Sequence, residues 1–114
     1  MADRAMEKAK LIGTIIISDK VYAELKEVIY RRKFDKYLKA VDRSKFLSRY
    51  IAESTTIVVT DKVSVCRDPS DNMFLELALS GKAFCIISGD PDLQALHPFQ
   101  NISIWSPIDF LNNT

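Results

Sequence analysis

The stretch from Cys66 to Asp92 most constrains the fold. Turn residues Asp68, Pro69 and Ser70 lead to Asp71, and an apolar run at helical spacing follows: Phe74, Leu75, Ala78 and Leu79. Gly81 closes that helix in the manner of a residue free to take positive φ. Ala83-Phe84-Cys85-Ile86-Ile87 is then a short continuous apolar run, the pattern of a strand buried on both faces. It stops at Ser88-Gly89-Asp90. One carboxylate therefore begins the helix and another follows the strand. In open parallel sheets ligands bind beyond the carboxyl ends of the strands, so two acids aimed there point to a metal site.

The rest of the chain alternates helix and strand. Residues 3–12 are strong helix formers that stop at Gly13. Thr14–Ser18 is β-branched and reads as a strand. Ser18 or Asp19 then caps a helix reaching about Arg32, with Val21, Leu25, Val28 and Ile29 as its core face. Glu24 falls at the border of that face and Glu27 points away from it. Residues 31–49 read as two short helices, the second capped by Asp42 or Ser44. Their basic residues are interleaved with Phe34, Tyr37 and Phe46, aromatics expected mainly in the core. Further strands are expected at Thr55–Thr60 and Ile102–Trp105, a short helix from Asp90 to Leu96, and a terminal helix capped by Ser106 with Pro107 at its first position. The tail Asn112–Thr114 is expected to fray. Such alternation makes an α/β domain with a parallel sheet.

At 114 residues the chain is read as one domain, spanning 1–114. No apolar run approaches the ~20 residues that cross a membrane, and no secretory leader is visible, so a cytoplasmic location is expected. Cys66 and Cys85 are expected to be reduced and structural. Charge is lopsided: residues 1–50 hold 13 Lys+Arg against 7 Asp+Glu, and residues 51–114 hold 3 against 8. A basic half beside an acidic half suits a polyanion meeting a metal pocket, and equally suits a dipolar surface that pairs subunits. His97 has no nucleophile to serve, and neither a glycine-rich phosphate loop nor zinc-ligand spacing is present.

Asp68-Pro69-Ser70-Asp71-Asn72-Met73-Phe74-Leu75-Glu76-Leu77-Ala78 and Ser88-Gly89-Asp90-Pro91-Asp92-Leu93 resemble the second half of a PIN domain, in particular the toxin-like PIN proteins of prokaryotic toxin-antitoxin pairs. Ile17–Leu25 resembles that family's strand-to-helix segment with a catalytic Glu, and Ile102–Leu111 its last strand and helix. The family's first strand, which ends in Asp-Thr-Asn and supplies the first acidic ligand, has no counterpart. The resemblance implies a three-layer α/β/α fold with a parallel central sheet, its first strand missing. It implies a metal-dependent ribonuclease that uses Mg²⁺ or Mn²⁺, a toxin held by a small antitoxin.

Carried over residue by residue, the resemblance makes Glu24, Asp71 and Asp90 catalytic and metal-binding. Asp92 is a further candidate ligand, Ser88 a hydrogen-bonding group for ligand or phosphate, and Arg31, Arg32 and Lys33 candidate RNA contacts. Asp68, Asp71 and Asp90 are also good helix caps, taken singly. Three acids remain where the family has four. The alternative is a catalytically impaired PIN-like module acting through dimerisation or a protein partner. With the first strand missing, the strand at Ile15 must pair with the strand at Phe84, or another chain must fill the gap. Self-association is expected, because an unpaired buried edge is costly.

Overall fold

The computed structural model describes residues 2–32, 35 and 39–114. Six α-helices and four strands alternate among them: α1 (Ala2–Ile12), β1 (Ile15–Ile17), α2 (Asp19–Ile29), α3 (Ala40–Ala52), β2 (Ser54–Thr56), α4 (Asn72–Ser80), β3 (Cys85–Ile87), α5 (Pro91–Gln94), β4 (Ser103–Trp105) and α6 (Pro107–Asn113). A 3-10 turn, Pro69–Asp71, runs straight into α4. The α/β reading holds, and every strand pairing between these elements is parallel.

The sheet is divided. β1 pairs with β2, placing Ile15 opposite Ser54 and Ile17 opposite Thr56. β3 pairs with β4, placing Cys85 opposite Ser103 and Ile87 opposite Trp105. Among the described residues no ladder joins β1 to β3, so each two-stranded sheet keeps a free inner edge. The strands are shorter than their apolar runs. Ile57 still donates its N–H to the Ile17 carbonyl at 2.8 Å, but the chain leaves the ladder there instead of continuing to Thr60. The run before Ile87 is not buried on both faces as expected: Phe84 is 71% exposed and Cys85–Ile87 are half-buried. A strand with neighbours on one edge only has nothing to cover its other flank.

Helix α4 joins the two sheets. Leu77 packs with Ile17 and Val21 in one core, and Leu75 packs with Leu93 and Ile104 in another. Phe74 touches both clusters. The expected face of α4 is therefore wider than the sequence pattern implied, since Leu77 is buried along with Leu75 and Ala78. Gly81 ends the helix, but for a different reason from the one expected. Its φ is −88°, and positive φ falls on Lys82 at 52°. A Cβ at Gly81 would sit 2.5 Å from Ile16 Cδ1 and 3.2 Å from the Leu77 carbonyl oxygen, so glycine there permits a close approach of α4 to β1.

Other elements follow their local chemistry. Ser18 caps α2 by accepting the Val21 N–H at 3.2 Å. Ser106 caps α6 by accepting the Asp109 N–H at 3.1 Å. α6 runs through Asn113 with no early fraying, closed by Asn113 Nδ2 donating to the Asp109 carbonyl. α3 starts at Ala40 without a side-chain cap, two residues ahead of the expected Asp42. Phe46 is 41% exposed against Tyr50, not core. Phe34 and Tyr37 lie outside the described residues. Arg43 is buried, paired with Asp35 at 3.0 Å and stacked over the Tyr30 ring. Both cysteines are free thiols.

Leu75 has no exposed surface. Leu75→Ala should destabilise the fold by about 2–5 kcal/mol in urea unfolding, because it removes side-chain volume from the contact that ties α4 to the second core.

Candidate acidic site

The first candidate, Asp71, closes the 3-10 turn ahead of α4. Its backbone N–H donates to the Asp68 carbonyl at 3.0 Å. It stands at the α4 N-cap position yet makes no capping hydrogen bond with its side chain. Capping duty in this turn falls to Asp68, whose Oδ1 accepts from the Ser70 N–H at 3.0 Å and the Ser70 hydroxyl at 2.8 Å. Those bonds hold Asp68 below the usual carboxylate range. The two acids, three residues apart, are thus sorted by geometry into a cap and a carboxylate with no structural partner.

Asp71 is shifted the other way. Partial burial pushes it up first, and the neighbouring charges of Asp90, Asp68, Asp92 and Glu24 push it further. A helix N-terminus favours an ionised carboxylate, yet the net direction at Asp71 is upward, with burial as its first cause. The charges felt at Asp71 come from Glu24 on α2, Asp68 in the turn before α4, and Asp90 and Asp92 around the start of α5. These positions lie up to 68 residues apart in the chain, from Glu24 to Asp92.

Each neighbour has a clear local origin. Glu24 is half-buried on α2, whereas Glu27 is exposed and bonded to Arg31 at 2.8 Å. Glu24 therefore lies at the border of the packed face, where the helical wheel put it. Ser88 follows β3, and its hydroxyl accepts the Asp90 N–H at 3.1 Å. Asp90 in turn caps α5, its Oδ1 accepting the Asp92 N–H at 2.9 Å. Asp90 is thus both cap and cluster member, with its second oxygen free of hydrogen bonds among the described residues. Asp92 is exposed on the first turn of α5.

Two residues at the site, Gln94 and Asn72, were not singled out by the sequence, and Cys66 was read only as a structural thiol. Gln94 donates its side-chain N–H to the Ser88 carbonyl at 2.7 Å and so fixes the turn that carries Asp90. Asn72 accepts the Cys66 N–H at 3.0 Å and holds the incoming loop against the turn. Burial pushes the Cys66 thiol up, with help from Asp71, Asp68 and Asp90. Cys66 opens the stretch that carries the turn, and that position was its one sequence signal. Nothing in the sequence marked Gln94.

Of the basic candidates, Arg31 is engaged with Glu27 and Arg32 is exposed without an ion pair among the described residues. Lys33 lies outside the described residues. His97 is not part of the cluster; its Nδ1 accepts the Ile104 N–H at 2.9 Å, which anchors the loop to β4.

The profile of a family described as the PIN domain matches residues 3–92. The chain belongs to the PIN-domain family. The match takes in Glu24, Asp71, Asp90 and Asp92 and places the chain in a nuclease-type fold family. No curated protein and no solved structure is significantly similar to this PIN-domain chain. β4 and α6 lie beyond the matched residues, yet they bury Ile104 and Phe110 and are integral to the core.

The candidate donors around Asp71 are carboxylate oxygens, the ligand type of hard cations such as Mg²⁺. Their mutual repulsion, felt at Asp71, is the electrostatic state that a cation relieves. Among the described residues no three His, Cys, Asp or Glu side chains stand close enough to hold a metal as they are. The donor chemistry suits a hard cation, while the positions of the described side chains do not form a metal site.

The raised Asp71 pKa has a sign that can be checked. Between the ordinary aspartate value and the raised one, the folded state keeps a proton that the unfolded chain has lost. Stability then falls as pH rises through that window. Asp71→Asn should raise the urea midpoint at pH 7 and leave it unchanged near pH 3, below the ordinary value of about 3.9. A lower midpoint at pH 7 would show that Asp71 is a cap after all.

Proposed function

We propose that this PIN-domain protein is a metal-dependent ribonuclease, the toxin component of a toxin-antitoxin pair, hydrolysing RNA phosphodiester bonds. The observation that carries the reading is Asp71: a carboxylate without a capping role, gathered with Glu24, Asp90 and Asp92 beyond β1 and β3. Family membership supplies the nuclease class.

Asp71, Asp90 and Glu24 would hold Mg²⁺ or Mn²⁺, with Asp92 at the edge of the cluster. The bound ion would supply an activated water and neutralise charge developing on the phosphate. The protein's own residues do the positioning. The Ser88 hydroxyl is committed to the Asp90 N–H as acceptor, so its proton stays available for a phosphate oxygen. Gln94 keeps that turn in place. Arg32, and Lys33 beside it in sequence, would attract the RNA backbone. Arg31 does so only by giving up Glu27. The partners implied are RNA, a small antitoxin protein and further copies of the chain, in the cytoplasm. Among the described residues no helix is long and apolar enough to cross a membrane.

We read the fold as a three-layer α/β/α arrangement in which the described residues do not supply the family's first, central strand. The two free inner edges of β1 and β3 support that placement. The same interruption favours a second reading, a catalytically impaired module that works through dimerisation or a protein partner. The acids follow two strands that no backbone ladder joins among the described residues.

Cleavage of a generic RNA by the purified protein separates the two. Activity should need Mn²⁺, stop with chelator, and fall by at least about 100-fold in both Asp71→Asn and Asp90→Asn, the scale of losing a few kcal/mol of transition-state stabilisation. Cleavage that ignores the chelator or survives both substitutions would overturn the nuclease reading.

A further inference from the structure

A cavity of about 440 Å³ lies between α1 and α3, and none of Glu24, Asp71, Asp90 and Asp92 lines it. The α3 side is a single stripe. Asp42, Lys45, Phe46, Arg49, Tyr50 and Glu53 line the cavity at three- and four-residue steps, which a helix stacks on one face. Met6, Glu7 and Lys10 close it from α1. The volume falls in the range of small-molecule pockets, ~300–1,000 Å³.

Its side chains are sorted by what already holds them. Lys10 bonds Glu53 at 2.8 Å, and Arg49 reaches the same carboxylate at 3.5 Å. Arg49 is 76% exposed. An ion pair so open to water is weak, so this guanidinium can turn to another anion at little cost. The Phe46 and Tyr50 rings stand 6.1 Å apart. Tyr50 is half-buried and Phe46 is open to the cavity. A ring backed by a packed neighbour and open on its other side is a platform for a second flat ring. Met6 adds a polarizable apolar wall. The side chains of Glu7, Asp42 and Lys45 have no ion-pair partner among the described residues. One concave space thus holds three acids, three cations and an aromatic face. A purely anionic ligand would meet the acids, and a purely cationic one the cations. The complementary ligand is itself bipolar, with N–H donors on a flat ring at one end and an anion at the other.

We propose that this cavity binds a free guanine mononucleotide: the base stacks on Phe46, Asp42 accepts from its N–H edge, and Arg49 and Lys45 take the phosphate. A carboxylate has acceptors and no donor. Guanine sets two donors side by side, N1–H and N2–H, which such a group can accept together. Adenine and cytosine place an acceptor beside their amino group, and uracil presents one N–H between two carbonyls. Arg49 lies seven residues beyond Asp42, about 10 Å along α3 at the rise of an α-helix. That span is comparable to the distance from the donor edge of a purine to its 5′-phosphate. The guanidinium fork suits a phosphate, and Glu7 is an acceptor for the ribose hydroxyls. The proposal does not depend on the nuclease reading, since the cavity and the acidic site share no residue.

The test is isothermal titration calorimetry on the full chain with chelator present. Guanosine 5′-monophosphate should bind saturably at one site per chain, and adenosine 5′-monophosphate at least about tenfold more weakly, the scale of one well-made polar contact. Phe46→Ala, at a ring that is 41% exposed, should keep the circular dichroism of the fold and weaken binding at least about tenfold. Asp42→Asn should weaken it too, and should narrow the preference over inosine 5′-monophosphate, which lacks the N2 amine. Asp71→Asn should leave binding unchanged. Any of five results would overturn the proposal: no saturable binding by about 5 mM nucleotide, equal affinity for the two purine nucleotides, full binding by Phe46→Ala, loss of binding in Asp71→Asn, or tighter binding of the 5′-phosphorylated trinucleotide GUU, the mark of a site for RNA ends.

Discussion

The packing of α4 against both halves of the sheet is the contact on which this structure depends. β1–β2 and β3–β4 share no backbone hydrogen bonds among the described residues. What holds them in one molecule is side-chain burial: Leu77 in one core, Leu75 in the other, and Phe74 against both. Gly81 lets the end of this helix lie on Ile16 with no intervening Cβ. α1 adds a second tie by packing on α6 and linking Lys10 to Glu53 at 2.8 Å. A largely exposed pair of that kind contributes little, so the apolar contacts of α4 dominate.

The same helix sets the site. Asp71 stands at its N-cap position, where it feels the charges of Asp90 and Glu24. Fold and site are therefore coupled in a simple way. A side chain that loosens α4 also moves Asp71 relative to the other acids. The division of capping work between Asp68 and Asp71 leaves one carboxylate without a capping bond, and it rests on Ser70 bonding to Asp68 through both its N–H and its hydroxyl.

Much of this was legible in the sequence because local chemistry was not in conflict with tertiary packing. Ser18, Ser106 and Pro107 marked helix starts, and they start helices. The family resemblance in Asp68–Leu93 led to the PIN-domain membership that the profile shows. What was hidden depended on distant partners. The burial of Arg43 needed Asp35 and Tyr30 to be placed around it. The role of Gly81 depended on Ile16, which lies 65 positions away and leaves no local mark. The apolar run before Ile87 promised a strand buried on both faces, and the pattern could not tell that one flank would be open. The upward shift of Asp71 leaves no local mark in the sequence, because it depends on burial and on the charges of acids brought in from other segments.

The central claim is that Glu24, Asp71 and Asp90 act as one cation-binding cluster. Carboxyl carbon NMR during a Mg²⁺ titration at pH 7 tests it most directly. The three carboxyl signals should move together, with one common midpoint, while Asp109 on α6 stays still. Independent midpoints for the three, or movement no larger than that of Asp109, would show that the acids do not share an ion and that the cluster is only a set of neighbours.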